Sequence, residues 1–315
     1  MFKRILVPLD GSESAECVLS HVVNLATWLN ADVTLLHVLR PMHAARGGSN
    51  QIKYPDALHD RGVTLIRAYL DEVISRLRNT GVNVRSSVVT GEVPRMIVER
   101  ARSGQFGLIA LAYKTHRDMF GRSSSTVFNG IWKRTLTPLM AINPSTERPI
   151  DQIVSPPSNV VLPLDGTRSA EWAVPYVRRF AKAANINVTI TGTLRPGITT
   201  VLRSIGVRRT RGSALLESYL ETKADDLRAS GIDVQVAKSI SKPTVSQILG
   251  RSNSTDSLIV IASHLRSGWA RLMPGSLGHK IINRANGPVI LVPVPIGQSK
   301  TDMPMTDKEA NTRNV

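Results

Sequence analysis

Cysteine is almost missing from this chain of 315 residues: it occurs once, as Cys17. A single thiol excludes an internal disulfide framework and any metal site built wholly from cysteines. Rings are scarce as well, with four Trp, five Tyr and five Phe. Stacking platforms for single-stranded nucleic acid therefore have little to be made from, and nucleic acid is not an expected partner. No window approaches the roughly 18 unbroken apolar residues of a membrane-spanning helix, so no membrane role is expected. The start, Met1-Phe2-Lys3-Arg4-Ile5-Leu6-Val7-Pro8, runs directly into a strand pattern without the apolar stretch and cleavage site of a secretory signal. Acidic residues are in deficit: 40 Lys+Arg stand against 24 Asp+Glu, a net charge of +16. The expected class is a soluble, cytoplasmic α/β protein whose basic surface favours anionic partners.

What the chain does have is a repeat. Leu6-Val7-Pro8-Leu9-Asp10-Gly11-Ser12-Glu13-Ser14-Ala15-Glu16 recurs as Val161-Leu162-Pro163-Leu164-Asp165-Gly166-Thr167-Arg168-Ser169-Ala170-Glu171, at an offset of 155. Asn30 and Val33 meet Asn185 and Val188 at that offset. Further on, Tyr69-Leu70, Gly81, Ile109, Ala112 and Pro138 meet Tyr219-Leu220, Gly231, Ile259, Ala262 and Pro288 at an offset of 150. A five-residue loop deletion accounts for the change at little free-energy cost. The basic excess is shared, +7 over residues 1–150 and +9 over residues 151–315. We read residues 1–145 as one domain, 146–157 as a linker rich in proline, 158–297 as a second copy, and 298–315 as a disordered tail.

Each copy alternates strands and helices. In the first, strands are expected at Ile5–Leu9, Val33–Leu39, Val82–Val89, Leu108–Ala112 and Pro138–Ile142. Helices are expected from Ser14 to Leu29, from about Asp56 to Asn79, from Pro94 to Arg102 and from Thr126 to Lys133. Continuous apolar strands between helices predict a parallel sheet covered on both faces. In such sheets ligands bind beyond the carboxyl ends of the strands, where the strand order reverses.

Asp10 and Asp165 each follow Pro-Leu at such an end and precede Gly-Ser or Gly-Thr. Each carboxylate can cap the coming helix or hydrogen-bond a ligand, and the two roles are compatible. The segment from Ala262 to Ser276 leaves a buried strand and enters a helix at Gly275-Ser276, where backbone N–H groups attract anions. Arg266 and Arg271 can add charge there; a turn with a serine cap is the competing reading. The matching segment, Ala112 to Thr126, has no glycine at its helix start and is the weaker anion site. The histidines show no ligand spacing with carboxylates, so no metal is expected. Cys17 reads as a small packed residue rather than a nucleophile. Arg195, Arg203, Arg208, Arg209 and Arg211 fall in a stretch without acids, either a solvated loop or a clamp for phosphates or an acidic partner.

The Val-Pro-Leu-Asp-Gly-Ser start, the Leu-Leu-His-Val strand, the Ala-Ser-His-Leu-Arg-Ser-Gly turn and the Gly-Pro-Val-Ile-Leu-Val-Pro end resemble the universal stress protein (UspA-like) family. Two copies in one chain are similar to its tandem members. The resemblance implies two doubly wound, Rossmann-like (adenine nucleotide alpha hydrolase-like) domains, each a five-stranded parallel sheet of order 3-2-1-4-5. It also implies a pseudo-dimer of the two halves and leaves a homodimer open. Members that bind ATP carry Gly-x-x-Gly, nine residues, then Gly with Ser, Thr or Asn. Those positions are Ala262, Leu265, Gly275 and Ser276 in the second copy, and Ala112, Thr115, Ser125 and Thr126 in the first. The family's acidic residue maps to Asp10 and Asp165, and its adenine-side residue to Val38 and Thr193. Leu265 in place of glycine opposes tight ATP binding.

No oriented base or nucleophile elbow is visible, so a regulatory binding protein is expected rather than an efficient enzyme. In that reading Asp165, Thr193, Ala262, Gly275 and Ser276 surround an adenine nucleotide, ATP for example, with Arg266 near its phosphates. Two alternatives stand beside it: a scaffold that docks an acidic protein after its nucleotide sites decayed, and a slow ATPase.

Overall fold

A computed structural model describes residues 2–40, 56–113, 116–117, 123–124, 126–144, 157–192, 209–237, 248–249, 257–264 and 277–295. Of the proposed linker at 146–157 all but Pro157 lies outside them, as does the tail from 298. The chain divides into two compact units, Met1–Pro156 and Pro157–Val315.

In the first unit the order is β1 (Arg4–Pro8), α1 (Glu13–Glu16), α2 (Leu19–Leu29), β2 (Asp32–Leu39), α3 (Asp56–Leu77), β3 (Val84–Thr90), α4 (Val93–Ser103), β4 (Leu108–Ala112), α5 (Thr126–Trp132) and β5 (Leu139–Ile142). A two-residue antiparallel ladder, His116–Arg117 with Ser123–Ser124, lies between β4 and α5. The second unit runs β6 (Asn159–Leu164), α6 (Arg168–Glu171), α7 (Val174–Ala184), β7 (Asn187–Gly192), α8 (Arg209–Arg228), β8 (Val234–Ala237), β9 (Ser257–His264), α9 (Leu277–Arg284) and β10 (Val289–Val294). All strand pairs within each unit's sheet are parallel, in the order β3-β2-β1-β4-β5 and β8-β7-β6-β9-β10. That is the expected 3-2-1-4-5 order, found twice.

The central strands explain the core. Ile5, Leu6 and Val7 of β1, and Val160, Val161 and Leu162 of β6, are completely buried. Both faces of the sheet are thus covered, as a run of apolar residues without alternation requires. Asn30 and Asn185 end α2 and α7 with φ of 47° and 50°. Asparagine tolerates the left-handed region better than most residues, which gives these repeated positions a backbone reason. Gly81, φ 73°, closes the short 3-10 turn after α3.

One expected element is divided. The Ser14–Leu29 segment forms two helices, because the i→i−4 ladder lapses at Cys17 and Val18 while both keep right-handed backbone. The Cys17 thiol donates to the Ser14 carbonyl at 3.2 Å, the oxygen an unbroken helix would offer to Val18. In the second unit Pro175, at the start of α7, has no N–H to give. Apolar periodicity continues across the break and hides it.

Candidate ligand crevice

The strand order reverses between β1 and β4, and between β6 and β9. There the ladder is short. β1 meets β4 only at Ile5–Leu108 and Leu6–Ile109. β6 meets β9 at Asn159–Ser257, Val160–Leu258 and Val161–Ile259. Proline supplies a reason. The Leu9 N–H donates to the Leu36 carbonyl of β2. Backbone groups alternate sides along a strand, so position 8 faces β4, and Pro8 has no donor to offer. Pro163 holds the same repeat position in β6. On that side the ladder stops short of the carboxyl ends of the two strands.

A turn of fixed geometry stands at each mouth. Asp10 Oδ1 accepts from the Ser12 N–H at 3.1 Å and the Ser12 hydroxyl at 2.5 Å. Asp165 Oδ1 accepts from the Thr167 N–H at 3.1 Å and its hydroxyl at 2.5 Å. Gly11 and Gly166 make the turn with φ of 86° and 75°. The helix cap is the hydroxyl rather than the carboxylate: Ser12 Oγ and Thr167 Oγ1 accept from the Ala15 and Ala170 N–H groups, each at 3.2 Å. The carboxylate holds the cap residue, one step removed from the helix.

Behind each turn lies a second tie. Glu16, the last residue of α1, accepts from the Tyr69 hydroxyl of α3 at 2.8 Å and from Arg76 at 2.6 Å. Glu171, the last residue of α6, accepts from the Tyr219 hydroxyl of α8 at 2.9 Å and pairs with Lys223 at 3.1 Å. Burial, together with the adjoining glutamate, pushes both phenols well above their ordinary range. Neither glutamate nor tyrosine was singled out in the sequence. The signal was there, since both residues repeat, but the cation that completes the group does not.

His37, near the end of β2, is held below its ordinary pKa by burial, against the Leu9 backbone and the Asp10 charge, which both raise it. Its repeat position is Gly192, where a Cβ would stand 2.6 Å from Leu220 Cδ1 and 2.9 Å from Leu216 Cδ2. After β4, Tyr113 is buried and meets Phe128 of α5 edge-on, with centroids 4.9 Å apart. Burial pushes the Tyr113 hydroxyl up to about 12. The repeat positions of that pair are Ser263 and Gly278.

Of the sequence candidates, Asp10, Val38 and Ala112 stand at the carboxyl ends of adjacent strands β1, β2 and β4; Val38 pairs with Val89, and Ala112 with Ile142. Asp165 follows β6, and Ala262 pairs with Val292 near the end of β9. Thr126 begins α5. Thr115, Ser125, Thr193, Leu265, Arg266, Gly275 and Ser276 lie outside the described residues. Among the described residues no group of His, Cys, Asp or Glu could hold a metal ion. No described helix is long and apolar enough to cross a membrane.

The family model for universal stress proteins matches residues 1–133 and 157–293. The chain belongs to the universal stress protein family. No protein of curated function matches it in sequence. A universal stress protein from Archaeoglobus fulgidus is similar in fold, with a TM-score of 0.68 at 18% identity over 92% of this chain and 98% of that one. A Pseudomonas aeruginosa protein assigned to the same family gives a TM-score of 0.58 at 12% identity, covering 93% of each chain. At such identities the likeness speaks for the fold. It covers both universal stress protein repeats of this chain together.

Proposed function

We propose that this tandem universal stress protein is a cytoplasmic, stress-response regulatory binding protein that takes an adenine nucleotide, mainly in its second unit. The observation that carries this reading is the shortened ladder at the reversal of strand order, ending by a proline and flanked by an Asp-Gly-Ser/Thr turn. A carboxylate at the mouth suits hydroxyl donors such as those of a ribose, and the basic surface suits the phosphates. Ser263 and Gly278, in place of Tyr113 and Phe128, favour the second unit by leaving small side chains beside the strand end. Gly275 and Ser276 then serve the phosphates, with Arg266 nearby.

Calorimetric titration of the purified full chain with ATP tests it. The expected result is saturable heat below millimolar nucleotide. No heat up to that concentration, with folding verified by circular dichroism, overturns it. The net charge of +16 supports a second reading, a scaffold docking an acidic protein. Partner pull-down tests that reading: charge reversal at Arg208 and Arg209 abolishes capture, and capture that persists unchanged overturns it.

A further inference from the structure

We propose that Tyr69 and Tyr219 are positioning residues for the ligand crevice: through Glu16 and Glu171 they hold the turns that aim the Asp10 and Asp165 carboxylates. This deepens the nucleotide reading and rests on it for the identity of the ligand, though not for the mechanical link.

The link can be followed bond by bond. α1 and α6 have four residues each, far too few to persist unaided, since helices shorter than about 12 residues are marginal in water. Each is fixed at its start by the Ser12 or Thr167 hydroxyl, which also donates to the aspartate. Each is fixed at its end by the glutamate that accepts from the tyrosine of the long helix. Tyrosine, glutamate, short helix, cap hydroxyl and aspartate therefore form one chain in both units.

The cation shows that the tie is kept for more than one accidental contact. In the first unit it is Arg76, seven residues after Tyr69; in the second it is Lys223, four after Tyr219. The repeat positions of these cations are Asp226 and Val73, so neither unit retains the other's partner. The glutamate–tyrosine bond persists while the compensating charge comes from a different helical turn. A partly buried ionic group adds little stability over an apolar replacement, which leaves geometry as the property it supplies.

The test uses the full chain carrying Tyr219→Phe, which keeps the ring and its packing. Amide hydrogen exchange over residues 165–171 is expected to quicken about tenfold with the unfolding midpoint nearly unchanged. ATP affinity is expected to fall about fivefold, and Asp165→Ala with Tyr219→Phe is expected to bind no worse than Asp165→Ala alone, because the two act as a unit. Exchange equal to that of the parent chain overturns the proposal. So do affinity losses that multiply in the double variant. Should the parent chain give no ATP heat, the nucleotide reading fails by itself, and the exchange rates still decide the positioning role.

Discussion

At the carboxyl end of β4 the first unit places Tyr113, packed edge-on against Phe128, whereas the second has Ser263 and Gly278 at the same repeat positions. Two strands further, the first unit has His37 and the second Gly192, against which Leu216 and Leu220 of α8 press closely. The proline, the Asp-Gly-Ser/Thr turn and the glutamate–tyrosine tie are the same in both. The duplicated parts thus build a mouth, and the divergent parts fill the space beside it differently. Two strand-end turns alike in backbone and unlike in the side chains beside them are what that pattern describes.

The aromatic pair offers the largest effect by which to break the comparison. Phe128→Ala removes a fully buried ring and is expected to cost about 3–5 kcal/mol in urea unfolding, while Gly278→Ala changes stability by less than about 1 kcal/mol. Equal costs would mean that the two sites are packed alike. Next is the glutamate tie. The Glu16 side chain is 9% exposed and that of Glu171 32%, so the first is the better shielded. Glu16→Ala is expected to cost about 3 kcal/mol. Glu171→Ala is expected to cost about 1 kcal/mol, since solvent screens that pair.

The caps should behave alike in both units. Ser12→Ala and Thr167→Ala are each expected to lower stability by about 1 kcal/mol, measured by thermal unfolding. A difference larger than that would show that one turn is held by something other than its hydroxyl.

The smallest effect is a dependence on pH at His37, whose repeat position is Gly192. Burial holds the folded-state pKa of His37 below the ordinary 6.5. The unfolded chain then binds the proton more readily, so the contribution is complete above about 6.5 and is lost as the pH falls towards the folded value. Between about pH 7.5 and 5.5 the melting temperature of the parent chain should drop further than that of His37→Gly. Parallel curves would remove His37 from the account.

Much of this was legible in the residues. Two copies of Pro-Leu-Asp-Gly lead to a buried strand and a mouth in each half, because a buried parallel strand and a glycine turn are local patterns, whereas the strand order followed from the family resemblance. The break at Cys17 was not legible, since the apolar period runs on across it and Cys17 and Val18 both keep right-handed backbone. Nor was the tie, because Glu16 and Tyr69 are 53 residues apart and Arg76 has no counterpart at its repeat position. Aligning the copies shows which residues repeat; only the packed helices show which ones touch. The cap was read as a role open to Asp10, whereas Ser12 takes it because its hydroxyl reaches the Ala15 N–H and the carboxylate is engaged with Ser12.

The most direct measurement is an ATP titration of the full chain beside its Asp165→Ala and Asp10→Ala variants, followed by calorimetry. The account predicts one dominant binding event that Asp165→Ala weakens by about tenfold or more and Asp10→Ala leaves within about twofold of the parent affinity. Affinity that Asp165→Ala leaves within about twofold of the parent, or that depends on Asp10 instead, would contradict it.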